Sequence, residues 1–387
     1  MTKTLFTNIG SLVMPATEVG VLETLPNAAF VVEDGLVAWV GSADNAPSCD
    51  EVVDADGRCV IPGFVDSHAH LIFAGSREQE FAARMSGISY SAGGIKTTVA
   101  KTRAASDAEL RSNAQRLVEE LYQSGVTHFE IKSGYGLDVE TEVRSLKIAR
   151  EFTEDTTFLG AHVIPQEQDP ERYVSLVTTE MLAAVKPYAK WVDVFCDKGA
   201  FDLVQTRRVL EAGIAAGLRP RLHANQIEDL GAIALAVELD CASVDHCTHL
   251  SDADIELLAN SNTVATLLPG AEFSTRSPYP NAKRLFAAGV TVALATDCNP
   301  GSSFTTSMPF CISVAVREMG FTVDQAVWSA TRGGSLALRD QSRGGLRVGM
   351  RADFAILDAP NHLFLAYRPG VQLIAATFVA GKKVYGR

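Results

Sequence analysis

Between about residues 60 and 300, short apolar runs of strand character alternate with amphipathic stretches of helical spacing. The apolar runs fall at 60–65, 126–131, 157–162, 191–195, 219–223, 243–246, 264–268 and 290–296. Helical patterns lie between most of them, at 105–124, 139–152, 172–188, 203–216, 230–239, 252–260 and 282–288. Strands joined through helices run parallel, because only a long crossover returns the chain to the same end of a sheet. Eight strands in such a series predict a (β/α)8 TIM-like barrel.

The two ends of the chain have a different texture. Short β segments at 29–32, 36–40 and 51–53 are punctuated by Asp34-Gly35 and Asp56-Gly57, both strong hairpin signals. Residues 353–357, 373–379 and 382–385 are strand-like as well, with a turn at Ala380-Gly381. The expectation is one small β domain built from both termini.

Acidic residues exceed basic ones by 46 to 34, a net charge of −12, and no cationic run offsets it. That argues against a nucleic-acid binder and against a polybasic membrane binder. The N-terminal stretch lacks a signal-peptide core, and no apolar run approaches membrane-spanning length. Seven scattered cysteines without a C-x-x-C pair point away from a disulfide framework and from a Cys-type zinc site. A cytoplasmic protein is expected.

The polar residues at the predicted strand ends carry the chemistry. Active sites of such barrels lie where the loops after the strands converge. The first strand ends in His68 and His70, the third in His162, the fifth in His223, the sixth in His246 and the eighth in Asp297. Lys132, Ser133 and Tyr135 follow the second strand, and Lys198 follows the fourth. His68 and His70 are two apart on a strand, so both imidazoles face one side. With a further His and an Asp from other strands they would complete a site for one divalent cation with a position left for water. His128, His249 and His362 fall elsewhere and read as ordinary structural histidines.

PGFVDSHAHL at 62–71, together with His223, His246 and Asp297, resembles the amidohydrolase superfamily of metal-dependent barrels, and the tail GGLRVGMRADFAIL resembles its return into a β-sandwich. Within it, GSREQEF, FEIKSGYGL, GAHVIP, HANQ, VDHCTHL and ATDCNPGSS are similar to motifs of the imidazolonepropionase family, over nearly the whole chain. The resemblance implies a β-sandwich from 1–60 and 346–387 around a barrel at 61–345. It implies hydrolysis of the cyclic amide of 4-imidazolone-5-propanoate to N-formimidoyl-L-glutamate, in histidine degradation. It implies one divalent metal per chain, Zn²⁺ or Fe²⁺/Fe³⁺, held by His68, His70, His223 and Asp297, with His246 and Asp297 as catalytic groups. Tyr135, His162, Gln226, Asn299, Gly301 and Ser302 correspond to contacts with a small anionic heterocyclic substrate. Arg77 is the natural partner of its carboxylate, because guanidinium binds carboxylate through a planar fork. Glu78 or Glu80 would compete for Arg77, and Asn299-Pro300-Gly301 reads equally as a plain turn. Tyr90 is a further possible contact, and the 91–95 loop is either a mobile element or ordinary surface.

Three alternatives stay open. A binuclear centre would need a carboxylated Lys198. A nucleobase deaminase would usually carry Glu where this chain has Gln226, which cannot exchange a proton at neutral pH. A non-enzymatic scaffold should have lost a ligand position. No nucleic-acid or membrane partner is expected, and a homodimer is the default for a chain of this size.

Overall fold

The structure, a computed structural model, describes residues 2–87 and 94–386; Tyr90 and most of the 91–95 loop lie outside them. The N-terminal segment forms β1 (Thr4–Pro15), β2 (Leu22–Glu33), β3 (Leu36–Ser42), β4 (Glu51–Asp54) and β5 (Cys59–Pro62). The middle supplies β6 (Phe64–Asp66), β7 (Val126–Phe129), β8 (Ile131–Lys132), β9 (Thr156–Ala161) and β10 (Trp191–Cys196). It continues with β11 (Arg219–Pro220), β12 (Leu222–Ala224), β13 (Ser243–His246), β14 (Val264–Leu267) and β15 (Val292–Leu294). The C-terminal segment adds β16 (Phe354–Leu357), β17 (Ile374–Val379) and β18 (Lys382–Gly386).

Both termini enter a single sheet, in the order β18-β17-β16-β5-β1-β2-β3, with β4 beside β1. Asp34 and Gly35 both have positive φ, at 51° and 78°, as a tight hairpin turn requires. The sheet closes on its own aromatic core. Phe354 stacks on Phe378 with ring centres 4.5 Å apart, and Phe6 meets Phe354 edge-on at 4.8 Å. Phe30 completes the cluster, 5.1 Å from Phe6.

The middle strands form a curled parallel sheet. Pairing runs from β8 through β9, β10, β12, β13 and β14 to β15, while β6 pairs in parallel with β7. The ends of the curl meet: Ala69 bridges Cys298 in parallel, and the Asp297 amide donates to the His68 carbonyl at 3.0 Å. The mixed α/β class expected from the alternation is thus present. Every predicted apolar run contributes a strand.

Several details depart from the sequence pattern. The expected helix at 172–188 is broken into Pro170–Leu176, a π turn at Val177–Met181 and a short remainder. Hydroxyls of Thr178 and Thr179 there bond the carbonyls of Val174 and Ser175, competing with the helical ladder. The fifth strand is interrupted at Arg221, after Pro220, which has no N–H to give to a ladder. Helices Glu78–Met85, Ile95–Ala104, Met308–Glu318 and Val323–Trp328 had no counterpart in the reading of the sequence.

Gly63 is the one residue between β5 and β6, where the chain passes from the terminal sheet to the middle strands. A Cβ there would sit 2.2 Å from the Thr127 side chain, so only glycine permits this approach. Phe354 lies at the centre of the terminal core. Phe354→Ala is expected to cost about 3–5 kcal/mol of stability, measured by chemical denaturation; a loss below about 1 kcal/mol would show that the aromatic cluster does not hold the sheet.

Candidate active site

His68, His70, His223, His246 and Asp297, from four separate parts of the sequence, converge at one end of the curled sheet. His68 Nε2, His70 Nε2 and Asp297 Oδ1 form a triangle with edges of 3.3, 3.5 and 3.6 Å. His223 joins from below, its ring 4.4 Å from that of His68, and His246 lies 5.4 Å from His223. All five are buried. His68, His223 and His246 also present nitrogens within 4.8 Å of one another, as do the atoms of the triangle.

The donor set asks for a cation. His223 Nε2 has no hydrogen-bond partner among the described residues, nor does Nδ1 of His70 or of His246. Buried polar atoms are seldom left so. Burial, and after it the neighbouring positive groups, hold the imidazoles of His68, His70 and His246 well below their usual pKa, so they are lone-pair donors. Burial pushes the Asp297 carboxyl well above its usual value, which an adjacent cation would reverse. The edges of the triangle are close to the roughly 3.4 Å expected between ligands about 2.1 Å from a tetrahedral centre. Imidazole and carboxylate ligands suit a divalent metal, and the residues present fit one.

The ligands are themselves aimed. His68 Nδ1 faces Asp245 Oδ2 at 2.8 Å, which fixes the tautomer that points the Nε2 lone pair into the triangle. His223 Nδ1 lies 3.0 Å from Asp193 Oδ2. Behind them Lys132 bonds Asp193 at 2.8 Å and Glu130 at 2.9 Å, and Arg221 reaches Asp245 at 3.3 Å and the Ser67 carbonyl at 2.7 Å. Burial opposes the charge on Asp193 and Asp245, yet the groups around them outweigh it and hold both carboxyls below their ordinary range. For Asp193 these are His223 and Lys132; for Asp245, Arg221 and Lys132 lead. Sequence reasoning missed Glu130, Asp193, Arg221 and Asp245. Their signal was present: a charged residue inside an otherwise largely apolar strand run.

The pocket above the triangle is lined by His70, Arg77, Ile95, Tyr135, His162, Phe195, His223, Gln226, His246, Asp297, Asn299 and Ser302. His162 Nδ1 donates to the Gly134 carbonyl at 2.9 Å, and burial, followed by His223, lowers its pKa to about 3. The Gln226 backbone N–H donates to Asp197, which also accepts from the backbones of Ile227, Glu228 and Lys198. Asn299 caps its own turn, accepting from the amides of Gly301 and Ser302 at 2.8 Å each. Gly301 stands one layer out, where a Cβ would lie 2.1 Å from the Arg77 guanidinium. Arg77 reaches the pocket and also pairs with Glu80, through Nε at 2.9 Å and Nη2 at 2.7 Å, so the expected competitor is in place.

Lys198 is displaced from the site. Its side chain is 65% exposed and bonds Glu228, which leaves a carboxylated-lysine bridge without its lysine. His128 bonds Asp155 and His362 bonds Asp324, both away from the pocket.

A curled parallel sheet with histidines from its first, fifth and sixth strands and an aspartate after its last defines a metal-dependent hydrolase of the amidohydrolase type. The amidohydrolase family pattern matches residues 51–119 and 178–385. The fold is shared with an adenosine deaminase from Xanthomonas campestris with bound zinc, at 17% identity and TM-score 0.73 over 99% of this chain and 93% of that one. It is shared too with an atrazine chlorohydrolase mutant from Arthrobacter aurescens, complexed with zinc and atraton, at 14% identity and TM-score 0.76 over 99% and 95%. Curated relatives are much nearer in sequence. An imidazolonepropionase of Mycolicibacterium smegmatis is 61% identical over 100% of this chain and 98% of its own length, and one of Streptomyces coelicolor 58% over 98% of each. The chain belongs to the amidohydrolase family and, within it, to the imidazolonepropionases.

Glu272, which the sequence did not single out, also borders this region. One oxygen accepts from the Thr248 hydroxyl at 2.7 Å, and the other has no hydrogen-bond partner among the described residues. Burial, only partly opposed by the Thr248 bond, raises its carboxyl to about 7. A carboxyl that holds its proton more tightly when folded contributes less stability as pH rises from about 4.5 to 7. In chelator-treated protein, Glu272→Gln should therefore gain stability relative to the parent between pH 5 and pH 8, read from urea midpoints. A difference that stays flat with pH would show that the carboxyl is not raised.

Proposed function

We propose that the chain hydrolyses the cyclic amide of 4-imidazolone-5-propanoate to N-formimidoyl-L-glutamate, the step of histidine degradation to which its family name refers. The observation that carries this reading is the buried triangle of His68, His70 and Asp297 beneath a pocket walled by Arg77. His68, His70, His223 and Asp297 would hold one divalent ion per chain, Zn²⁺ or Fe²⁺/Fe³⁺. When bound, the ion supplies Lewis-acid polarisation and makes water a better nucleophile near neutral pH.

The remaining steps fall to side chains. Water adds its oxygen to the ring carbonyl carbon, and the bond from that carbon to the ring nitrogen breaks. Asp297 takes the water's proton at Oδ2, the oxygen that Ser302 contacts at 3.3 Å. Neutral His246 sits opposite to polarise the scissile carbonyl through its N–H, and the proton taken up by Asp297 goes on to the departing nitrogen, so both side chains end as they began. Tyr135, His162, Gln226, Asn299 and Ser302 read the ring, with Gly301 supporting them. Arg77, steadied by Glu80, takes the propanoate carboxylate. Gln226 weighs against deamination, because an amide cannot ferry a proton to departing ammonia.

In the same reading the curled sheet is a (β/α)8 barrel at 61–345, and the terminal sheet a small β-sandwich from 1–60 and 346–387. The protein works as a cytoplasmic homodimer. Among the described residues, no helix is long and apolar enough to cross a membrane.

Ring opening of freshly prepared 4-imidazolone-5-propanoate, followed by its absorbance, is the direct test. The loaded protein should carry one ion per chain, and His68→Ala should lose both ion and activity while remaining folded. Full activity after complete removal of metal would refute the reading. The roles divide kinetically. Arg77→Met should raise KM roughly ten- to a hundredfold, as loss of a charge-assisted contact does, and His246→Ala should lower kcat by about a hundredfold or more. The reverse pattern would reassign both residues.

A further inference from the structure

Lys132 is a fully buried lysine at the floor of the site. Its ammonium lies 2.8 Å from Asp193 Oδ2, 2.9 Å from Glu130 Oε1 and 3.8 Å from Asp245 Oδ2. The same two aspartate oxygens face the imidazoles, Asp193 Oδ2 toward His223 Nδ1 at 3.0 Å and Asp245 Oδ2 toward His68 Nδ1 at 2.8 Å. Asp193 Oδ2 is thus shared between the ammonium and His223, and Asp245 Oδ2 between His68, Arg221 at 3.3 Å and the more distant ammonium.

We infer that Lys132 is a positioning residue of the metal centre: its ammonium is a fixed cation that aims Asp193 and Asp245, and through them makes His223 and His68 present their Nε2 atoms to one point. The inference rests on the cation centre proposed above. A carboxylate can rotate about its last bond, so a histidine partner alone does not fix its plane. An ammonium with three donors, anchored on a buried strand, does. Its third partner reaches the backbone between the two first-strand histidines, since Glu130 Oε2 accepts the Ala69 amide at 3.2 Å. The Lys132 amide itself donates to the Ala69 carbonyl at 2.9 Å. Side chain and main chain of one residue therefore hold the whole His68-Ala69-His70 segment in register with β12 and β13.

The same placement bears on how many ions the site takes. Asp193, His223 and Asp245 present donor atoms within 4.8 Å of one another, a second cluster that would suit a cation. Lys132 stands against both of its carboxylates, so the cluster already has a positive charge, supplied by the chain.

The test compares metal-free parent protein with Lys132→Met and with Lys132→Met/Glu130→Gln. The single variant removes the cation from three buried carboxylates; the double variant removes one charge of each sign and keeps the balance. Zn²⁺ affinity is measured by competition with a chromophoric chelator, coordination by the visible absorption of the Co²⁺-loaded protein, and folding by circular dichroism with cooperative unfolding. The folded double variant is expected to lose at least tenfold in Zn²⁺ affinity and to show a Co²⁺ band changed in position and intensity. A folded double variant with parental affinity and an unchanged Co²⁺ spectrum would overturn the inference. A parent protein that binds neither ion, or whose binding survives His68→Ala, would instead refute the cation centre itself.

Discussion

The structure depends on one difficulty: five metal-ligand-type side chains and a set of charged groups are buried together where little water can reach them. Burying a carboxylate or an ammonium is costly unless its partners are already in place. Here each is matched. Asp245 has Arg221 and His68, Asp193 has Lys132 and His223, and Asp66 accepts from the amide and hydroxyl of Thr296. Such a network contributes position more than stability. It holds the Nε2 atoms of His68 and His70 3.3 Å apart.

The backbone shares the task. His246 and Cys247 have φ of 82° and 56°, Asn225 of 56° and Asp297 of 51°, all in the left-handed region that residues other than glycine seldom adopt. These positions cluster where strands end and site residues begin. Neighbouring loops hold them there: the Cys247 amide donates to Ala224, the His249 amide to Asn225, and the Asn225 side chain back to the His249 carbonyl. Strain at such points persists only where the surroundings over-determine the geometry. In return, His246 turns out of its strand toward the pocket.

Arg77 shows how a surface-type interaction becomes part of a site. An Arg–Glu pair three apart on a helix start is usually worth little. Here the guanidinium is nearly buried between Gly94 and Gly301, positions where a Cβ would collide with it, and Glu80 fixes its plane at the pocket wall. The pairing expected as a competitor for Arg77 is formed, and it sets the orientation of the guanidinium. The terminal sheet stays apart from this chemistry. It packs on its own phenylalanines and meets the curled sheet through the tight passage at Gly63.

The periodicity of the chain determined the class of fold, because alternating strands and helices leave few ways to bury their apolar faces. His68, His70, His223, His246 and Asp297 were legible too, since each ends a predicted strand and such ends converge. The helices after residue 305 and the break at Val177–Met181 were not, because no strand followed to frame the former and hydroxyl–carbonyl bonds decided the latter. Nor could the sequence say that Lys198 turns outward to Glu228 while Lys132, at the end of the second strand, lies beneath the histidines. The order of residues along the chain determines which side of a strand a charge faces. Only the closing of the sheet, which brings residues 130, 193, 221 and 245 within hydrogen-bond range, decides which charges meet.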